Sequence, residues 1–202
     1  MGRTSAFDRD DVLRAARDVF WARGYAETGV AELEDATGLK RSSIYHAFGS
    51  KKGLFEAVVA RYLDEVVRSR IAGLHQVDAG PEALERYITE MRRAIAGGTP
   101  GTRAGCLLLN AACAPVVDDD PDVRALVTGY TDELRAAIAA GVGSARPDIS
   151  DVSRSALSEV CASLVIAALA VARVDPDAAD RSLAAVLAAV GSWDAGATPV
   201  YT

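Results

Sequence analysis

Eight polar side chains crowd into the twelve residues from Lys40 to Lys51: Lys40, Arg41, Ser42, Ser43, Tyr45, His46, Ser50 and Lys51. They offer ammonium, guanidinium, hydroxyl, phenol and imidazole groups, and residues 38–52 hold no carboxylate to balance them. A donor-rich, acid-free patch suits phosphate oxygens and base edges, and it lacks the paired acids and bases that catalysis needs. Ile44 and Phe48, four residues apart, mark the inward side of a helix over about 41–48. A helix this short does not hold together alone, so neighbours must pack it and a partner must explain its polar face.

The flanking residues supply those neighbours. Gly38 permits a turn, Leu39 plugs it, and Val30, Leu33 and Ala36-Thr37 form the apolar stripe of a short helix near 30–37. A first helix runs from about Asp8, which can cap it, to Arg23, with Val12, Ala16, Val19 and Phe20 on one side. Gly24 then stops it and Tyr25 packs back. The result reads as a helix-turn-helix, in which the second helix enters the major groove and its N-terminal residues reach base edges. Arg41, Ser42 and Ser43 occupy that turn, Lys40 precedes it, and Tyr45 and His46 follow on the exposed side. Lys51 and Thr28 stand at the starts of adjacent helices, where free N–H groups favour a phosphate and the side chain adds a donor.

Charge distribution points the same way. The formal net charge is −6, yet residues 1–55 carry nine basic and eight acidic side chains against 13 and 20 in the remainder. One local basic patch on an acidic chain suits a sequence-specific reader better than a protein that coats nucleic acid. Catalysis is not expected. The only histidines are His46 and His75, and there is no phosphate-cradling glycine loop, nucleophile elbow or metalloprotease motif. A helical interaction module without DNA binding is a further reading, opposed by Arg41, Tyr45 and Lys51. Cys106, Cys113 and Cys161 form no close-spaced ligand pair, so no metal or cofactor is expected, and reduced thiols fit a cytoplasmic protein. The chain opens without an apolar leader, and its longest apolar run, Val160 to Ala172, is too short to span a bilayer, so no membrane partner is expected.

Helical periodicity continues throughout. A long helix is expected from about Lys51 to Ala72, then helices near 81–96, 103–114, 121–140, 151–173 and 176–193. Residues 97–101 form a loop, and Gly141, Gly143 and Pro147 break the chain. The expected fold is all-α, with about nine helices. An N-terminal three-helix domain covers residues 1–50, a linking helix 51–72, and a larger C-terminal helical bundle 73–202.

Residues 8–60 resemble the N-terminal domain of the tetracycline-repressor (TetR) family of transcriptional regulators. The resemblance rests on Phe20-x-x-x-Gly24-Tyr25, Thr28, Val30, Leu33, Ala36-x-Gly38-Leu39, Ser43-Ile44-Tyr45, Phe48, Ser50-Lys51 and Leu54, matched without a gap. Two positions depart from it: Ala47 stands where relatives often carry a second histidine, and Gly29 where a hydroxyl commonly opens the second helix.

The resemblance implies a ligand-responsive repressor. It would bind a palindromic double-stranded DNA operator as a homodimer and be released by a small-molecule effector. It also implies that the last two helices of each subunit build the dimer. Leu183, Val186, Leu187 and Val190 form a stripe on the last helix, and the helix before it, with Leu164, is apolar nearly all round and must be covered on both sides. The effector pocket is less marked. Cys106, Asn110 and Cys113 share one helix face. That face reads as a polar pocket wall, as a thiol or soft-metal sensor with His75, or as small core residues. Tyr87, Met91, Tyr130 and Ser163 are further candidate linings.

Overall fold

The protein, described here from a computed structural model, is placed over residues 7–76, 79–98, 105–112 and 120–193. Among the described residues it is all-helical, as expected. Helices α1 (Arg9–Arg23), α2 (Val30–Thr37) and α3 (Arg41–Phe48) make the N-terminal cluster, and α4 (Lys51–Tyr62) leads out of it. The remaining helices are α5 (Ala83–Gly97), α6 (Leu107–Ala112), α7 (Pro121–Ala145), α8 (Asp151–Val171) and α9 (Pro176–Ser192).

Local chemistry sets the ends of the first helices. Asp8 caps α1 by accepting the Asp10 N–H at 2.8 Å, and Gly24 ends it with φ of 86°. The backbone N–H of Gly29 donates to the Glu32 carboxylate at 2.8 Å at the start of α2, and Gly38 turns the chain in the left-handed region that favours glycine. Phe20, Tyr25 and Phe55 cluster where α1 meets α4, with ring centroids 4.8–6.1 Å apart and the Phe20 and Phe55 rings edge to face. Leu33, Ile44 and Leu54 are fully buried beneath them, one from each of α2, α3 and α4.

The linking helix departs from expectation. After Tyr62 the chain winds as a π-helical turn over Leu63–Arg68, takes one α turn at Ser69–Ile71 and tightens over Ala72–Leu74. The wide turn absorbs an extra residue in the helical phase. It keeps Leu63, Val67, Ile71 and Leu74 in the core while Val66 and Arg70 line a cavity.

The long α7 also departs. Gly141 and Gly143 do not break it. A methyl group at Gly141 would lie 3.1 Å from Leu74 and 3.3 Å from Leu84, so the glycine lets those two leucines close on the helix. Pro121 and Asp120 start α7, Asp120 accepting the N–H groups of Asp122 and Val123.

The core runs unbroken from α1 to α9. Helix α8 is long and apolar enough to cross a membrane by length and composition. Its Leu157, Cys161, Val165 and Ala168 face, however, is buried as in the core helix of a globular protein. An Arg92–Asp180 pair, with two N–H···O contacts at 2.7 and 2.9 Å, joins α5 to α9.

Candidate nucleic-acid interface and cavity

Helix α3 buries Ile44 completely and leaves Arg41, Ser42 and His46 exposed, with Lys40 exposed just before it. Ser43 and Tyr45 are half-buried. The Arg41 guanidinium lies over the Tyr45 ring, 5.1 Å from its centroid, a contact that holds the long side chain along the helix face. The structure adds an acid that the local sequence did not place there: the Glu34 carboxylate reaches from α2 and accepts the Arg41 N–H at 2.8 Å. It occupies one of the unpaired donors at the start of α3, the position an anion favours.

The geometry gives two of the expected phosphate donors partners inside the chain. Thr28 is buried, and its hydroxyl donates to the Gly24 carbonyl at 2.6 Å, so it closes the α1–α2 corner instead of facing a partner. Lys51 is half-buried. Its ammonium donates to the Thr28 carbonyl at 2.9 Å and sits 4.6 Å from the Tyr25 ring centroid. Burial holds that ammonium below the ordinary lysine range. Lys51 therefore first fastens the corner that carries α2. No sequence spacing could show this, because the acceptors lie 23 and 25 residues upstream.

Lys52, in the first turn of α4, joins that helix to α7. Its ammonium lies 3.0 Å from Asp120 and 2.5 Å from Asp122. The Lys52 hydrogen bond holds the Asp120 carboxyl below its ordinary value, helped by the two backbone N–H groups it accepts. A carboxylate with a lowered folded value stabilises the fold above its unfolded pKa, about 3.9, and loses that contribution as pH falls through the lower folded value. Asp10, Asp148 and Asp180 are lowered in the same way by arginines. We expect the melting temperature to fall on acidification below about pH 4. The Asp120→Asn variant, which keeps a capping oxygen, should show a shallower fall. An identical acid slope in thermal melts would rule out the tether as a contributor.

A cavity of about 150 Å³ lies where α1 meets the C-terminal helices. Of the residues expected to line it, Met91 and Cys106 do. Tyr130 stands behind the wall, its hydroxyl 3.4 Å from Cys106 Sγ, and Tyr87 is buried beside Arg70, outside this cavity. Asn110 lies on α6 near Gly105 and does not line it. Ser163 is exposed on α8 and is corrected as a lining residue. Cys113 falls outside the described residues. No group of three potential metal ligands occurs among the described residues.

Sequence reasoning missed Trp21, Tyr62 and Arg70. Trp21 donates its indole N–H to the Gly105 carbonyl at 3.0 Å and meets the Tyr62 ring edge-on at 5.3 Å. Its position on α1 had signalled only a helix of the N-terminal cluster. Burial pushes the Cys161 thiol, away from the cavity, up to about 11, so it stays protonated and unreactive.

The expected dimer residues also divide. Leu183 and Val186 are fully buried within the chain and are corrected as contact residues, while Leu164, Leu187 and Val190 are half-buried against the core. The large exposed apolar side chains among the described residues are Val152, Val160 and Val174, all on or just beyond α8. Ser163, Ala167 and Ala170 fill the same exposed stripe, and Ala185 and Ala188 are exposed on α9.

Comparison with known proteins follows the same division. The sequence profile described as "Bacterial regulatory proteins, tetR family" matches residues 12–58. The transcriptional repressor ComR of Escherichia coli K12 is 36% identical over 126 residues, which cover 60% of this chain and 57% of ComR. The repressor BdcR of the same organism is 31% identical over 64% of this chain and 62% of its own length. The chain thus spans about three-fifths of these curated relatives. Among solved structures, a cysteine mutant of the TetR-family regulator CifR, bound to 26-bp double-strand operator DNA, is 30% identical. The match covers 95% of this chain and 100% of that one, with a TM-score of 0.75. E. coli NemR in its reduced form shares the fold at 20% identity and a TM-score of 0.72, over 88% of this chain and 94% of its own.

Proposed function

The chain belongs to the TetR family of bacterial regulatory proteins, and from that premise we propose that it is a dimeric transcriptional repressor whose α3 reads a palindromic DNA operator. The observation that carries this reading is the exposed strip of Lys40, Arg41, Ser42 and His46 on a helix whose opposite side is locked by buried Ile44. Arg41, Ser42 and Ser43 read base edges, while Lys40, Tyr45 and His46 hold phosphates. Lys51 contributes by fixing the corner behind them. Residues 1–50 form the reading part and residues 73–202 the sensing and pairing part.

The test is a binding titration on DNA from upstream of its own gene, over a series of salt concentrations. Lys40→Ala should weaken binding to all sequences and lower the salt slope by about one. Arg41→Ala should cost about 1–3 kcal/mol at its base pair and change the consensus selected from random DNA. An unchanged consensus would show that Arg41 does not read bases.

We further infer that the stripe running from Val152 to Val174 on α8, with Ala185 and Ala188 of α9, meets its copy in a second subunit. It is the one apolar helix face that the described residues leave bare. The cavity is the effector site in this reading. Trp21 on its wall belongs to α1, Tyr62 ends α4 and Val66 lies in the π-helical turn after it, so a ligand there touches α4, which packs on α3, and α1, which packs on α2 and α4. A coupling of roughly 1–3 kcal/mol is typical of such a link.

A thiol-sensing alternative through Cys106 and Cys113 has one supporting observation, the place of Cys106 on the cavity wall. Against it, the Cys106 side chain is 2% exposed and its sulfur lies between the Tyr62 and Tyr130 hydroxyls. Operator binding that survives alkylation of the reduced protein by a small maleimide would remove this alternative.

A further inference from the structure

We propose that the cavity takes a compact organic monoanion, a benzene-sized apolar body carrying one carboxylate, with the carboxylate on Arg70 and the body between Trp21, Val66, Met91 and Leu169. The proposal rests on the reading of this cavity as the effector site and deepens it.

Size comes first. A cavity of about 150 Å³ matches the volume at which an apolar protein cavity accepts benzene. The walls are mostly apolar. Their two buried polar groups are already partnered, the Tyr62 hydroxyl lying 3.8 Å from Cys106 Sγ and that sulfur 3.4 Å from the Tyr130 hydroxyl. They make little call on a ligand hydrogen bond. A buried polar tip on the ligand's inner end would go unsatisfied, so that end should be apolar.

Charge comes second. Among the described residues, Arg70 is the one charged side chain on the cavity wall, and no carboxylate lines the cavity. Arg70 is exposed and makes no ion pair or hydrogen bond among the described residues, in contrast to Arg61, Arg68 and Arg92, each paired with an acid. Its positive charge is felt by the buried Tyr62 and Tyr87 phenols, which places it over this end of the bundle. A planar fork of donors that is not already used fits a carboxylate in bidentate fashion. With one cation on the wall among the described residues, a singly charged head is matched and a cationic ligand is repelled.

Only two tryptophans occur in the chain, Trp21 and Trp193, so a Trp193→Phe protein reports the cavity through Trp21 fluorescence. This protein is titrated with benzoate, cyclohexanecarboxylate, benzamide and benzylamine, with calorimetry in parallel. Both carboxylates should bind, and neutral benzamide should bind roughly ten- to a hundredfold more weakly, the worth of a hydrogen-bonded charge. Benzylamine should not bind. Arg70→Gln should erase the preference for benzoate over benzamide while leaving the melting temperature unchanged, because the side chain is exposed. Ala94→Phe, which fills the cavity, should abolish binding of every ring compound. Equal affinity for benzoate and benzamide, a preference that survives Arg70→Gln, or no binding by either carboxylate would overturn the proposal. Operator affinity is measured separately. Arg70-dependent carboxylate binding that leaves operator affinity untouched would uphold the ligand class and refute the effector role, which keeps the two failures distinct.

Discussion

Gly53→Ala should abolish operator recognition while leaving most of the molecule folded. Gly53 is the third residue of α4, and its N–H donates to the Ser50 hydroxyl at 3.0 Å, the cap of that helix. A methyl group there would lie 2.0 Å from the Phe48 carbonyl oxygen and 3.2 Å from its carbon. Both are backbone atoms at the end of α3, so no side-chain rotation relieves the clash. The end of the reading helix must move away from α4 by an ångström or more. Two energies oppose each other. Overpacking of this kind costs about 1–3 kcal/mol, whereas alanine gains about 1 kcal/mol over glycine inside a helix. The net loss of stability is therefore small and the displacement is the main effect. Base contacts, each worth about 1–3 kcal/mol, do not survive such a shift. We expect specific binding to fall at least about a hundredfold while salt-sensitive, non-specific binding persists. Gly129→Ala is the control. It sits in α7 with nothing within 4 Å of the added methyl and should stabilise by about 0.5–1 kcal/mol without touching DNA binding. A Gly53→Ala protein that selects and binds the operator normally would show that the α3–α4 junction does not set the reading geometry.

Ala167→Arg should convert the protein to a monomer. Ala167 lies mid-way along the exposed stripe of α8, between Val160 and Val174. A guanidinium there, on each copy, would be buried against its counterpart without a partner, which a helix interface does not tolerate. Operator affinity should then fall by about 10²–10⁴, because two half-sites about 34–36 Å apart would no longer be bound as one unit. Leu183→Ala separates this effect from instability. Leu183 is fully buried inside the chain, so truncation should cost about 2–5 kcal/mol of folding stability with the association state kept at temperatures where the chain is folded. Light scattering at micromolar concentration decides between them. A dimeric Ala167→Arg protein would place the interface elsewhere.

Much of the N-terminal cluster was legible because its signals are local. Asp8 as a cap, Gly24 and Gly38 as turns, and Ile44 inside α3 all depend on neighbours within a few residues, and each stands as expected. The misreadings share a different cause. Thr28 and Lys51 look like phosphate donors in sequence, but the Gly24 and Thr28 carbonyls claim them first. Gly141 looks like a break, yet its missing side chain is a packing surface for Leu74 and Leu84. The chain from 51 to 72 reads as one regular helix because a π-helical turn keeps the apolar residues inward and leaves little trace in their spacing.

The amino-acid order alone determined the all-helical class, the helix-turn-helix and the donor-rich face of α3, since helical period, turn residues and charge are properties of short segments. Only the tertiary structure decided which equivalent residues are free to meet a partner. On a helix apolar nearly all round, the sequence cannot say which side the chain itself covers. The fold buries Leu157 and Val165 of α8 and leaves its Val160 and Ala167 bare. The cavity is likewise a product of assembly. Trp21, Arg70 and Cys106 are separated by tens of residues, and they form one wall only because α1, the end of the linking helix and the segment before α6 pack together there. The donor set of α3 could be read before folding; the shape and charge of the cavity could not.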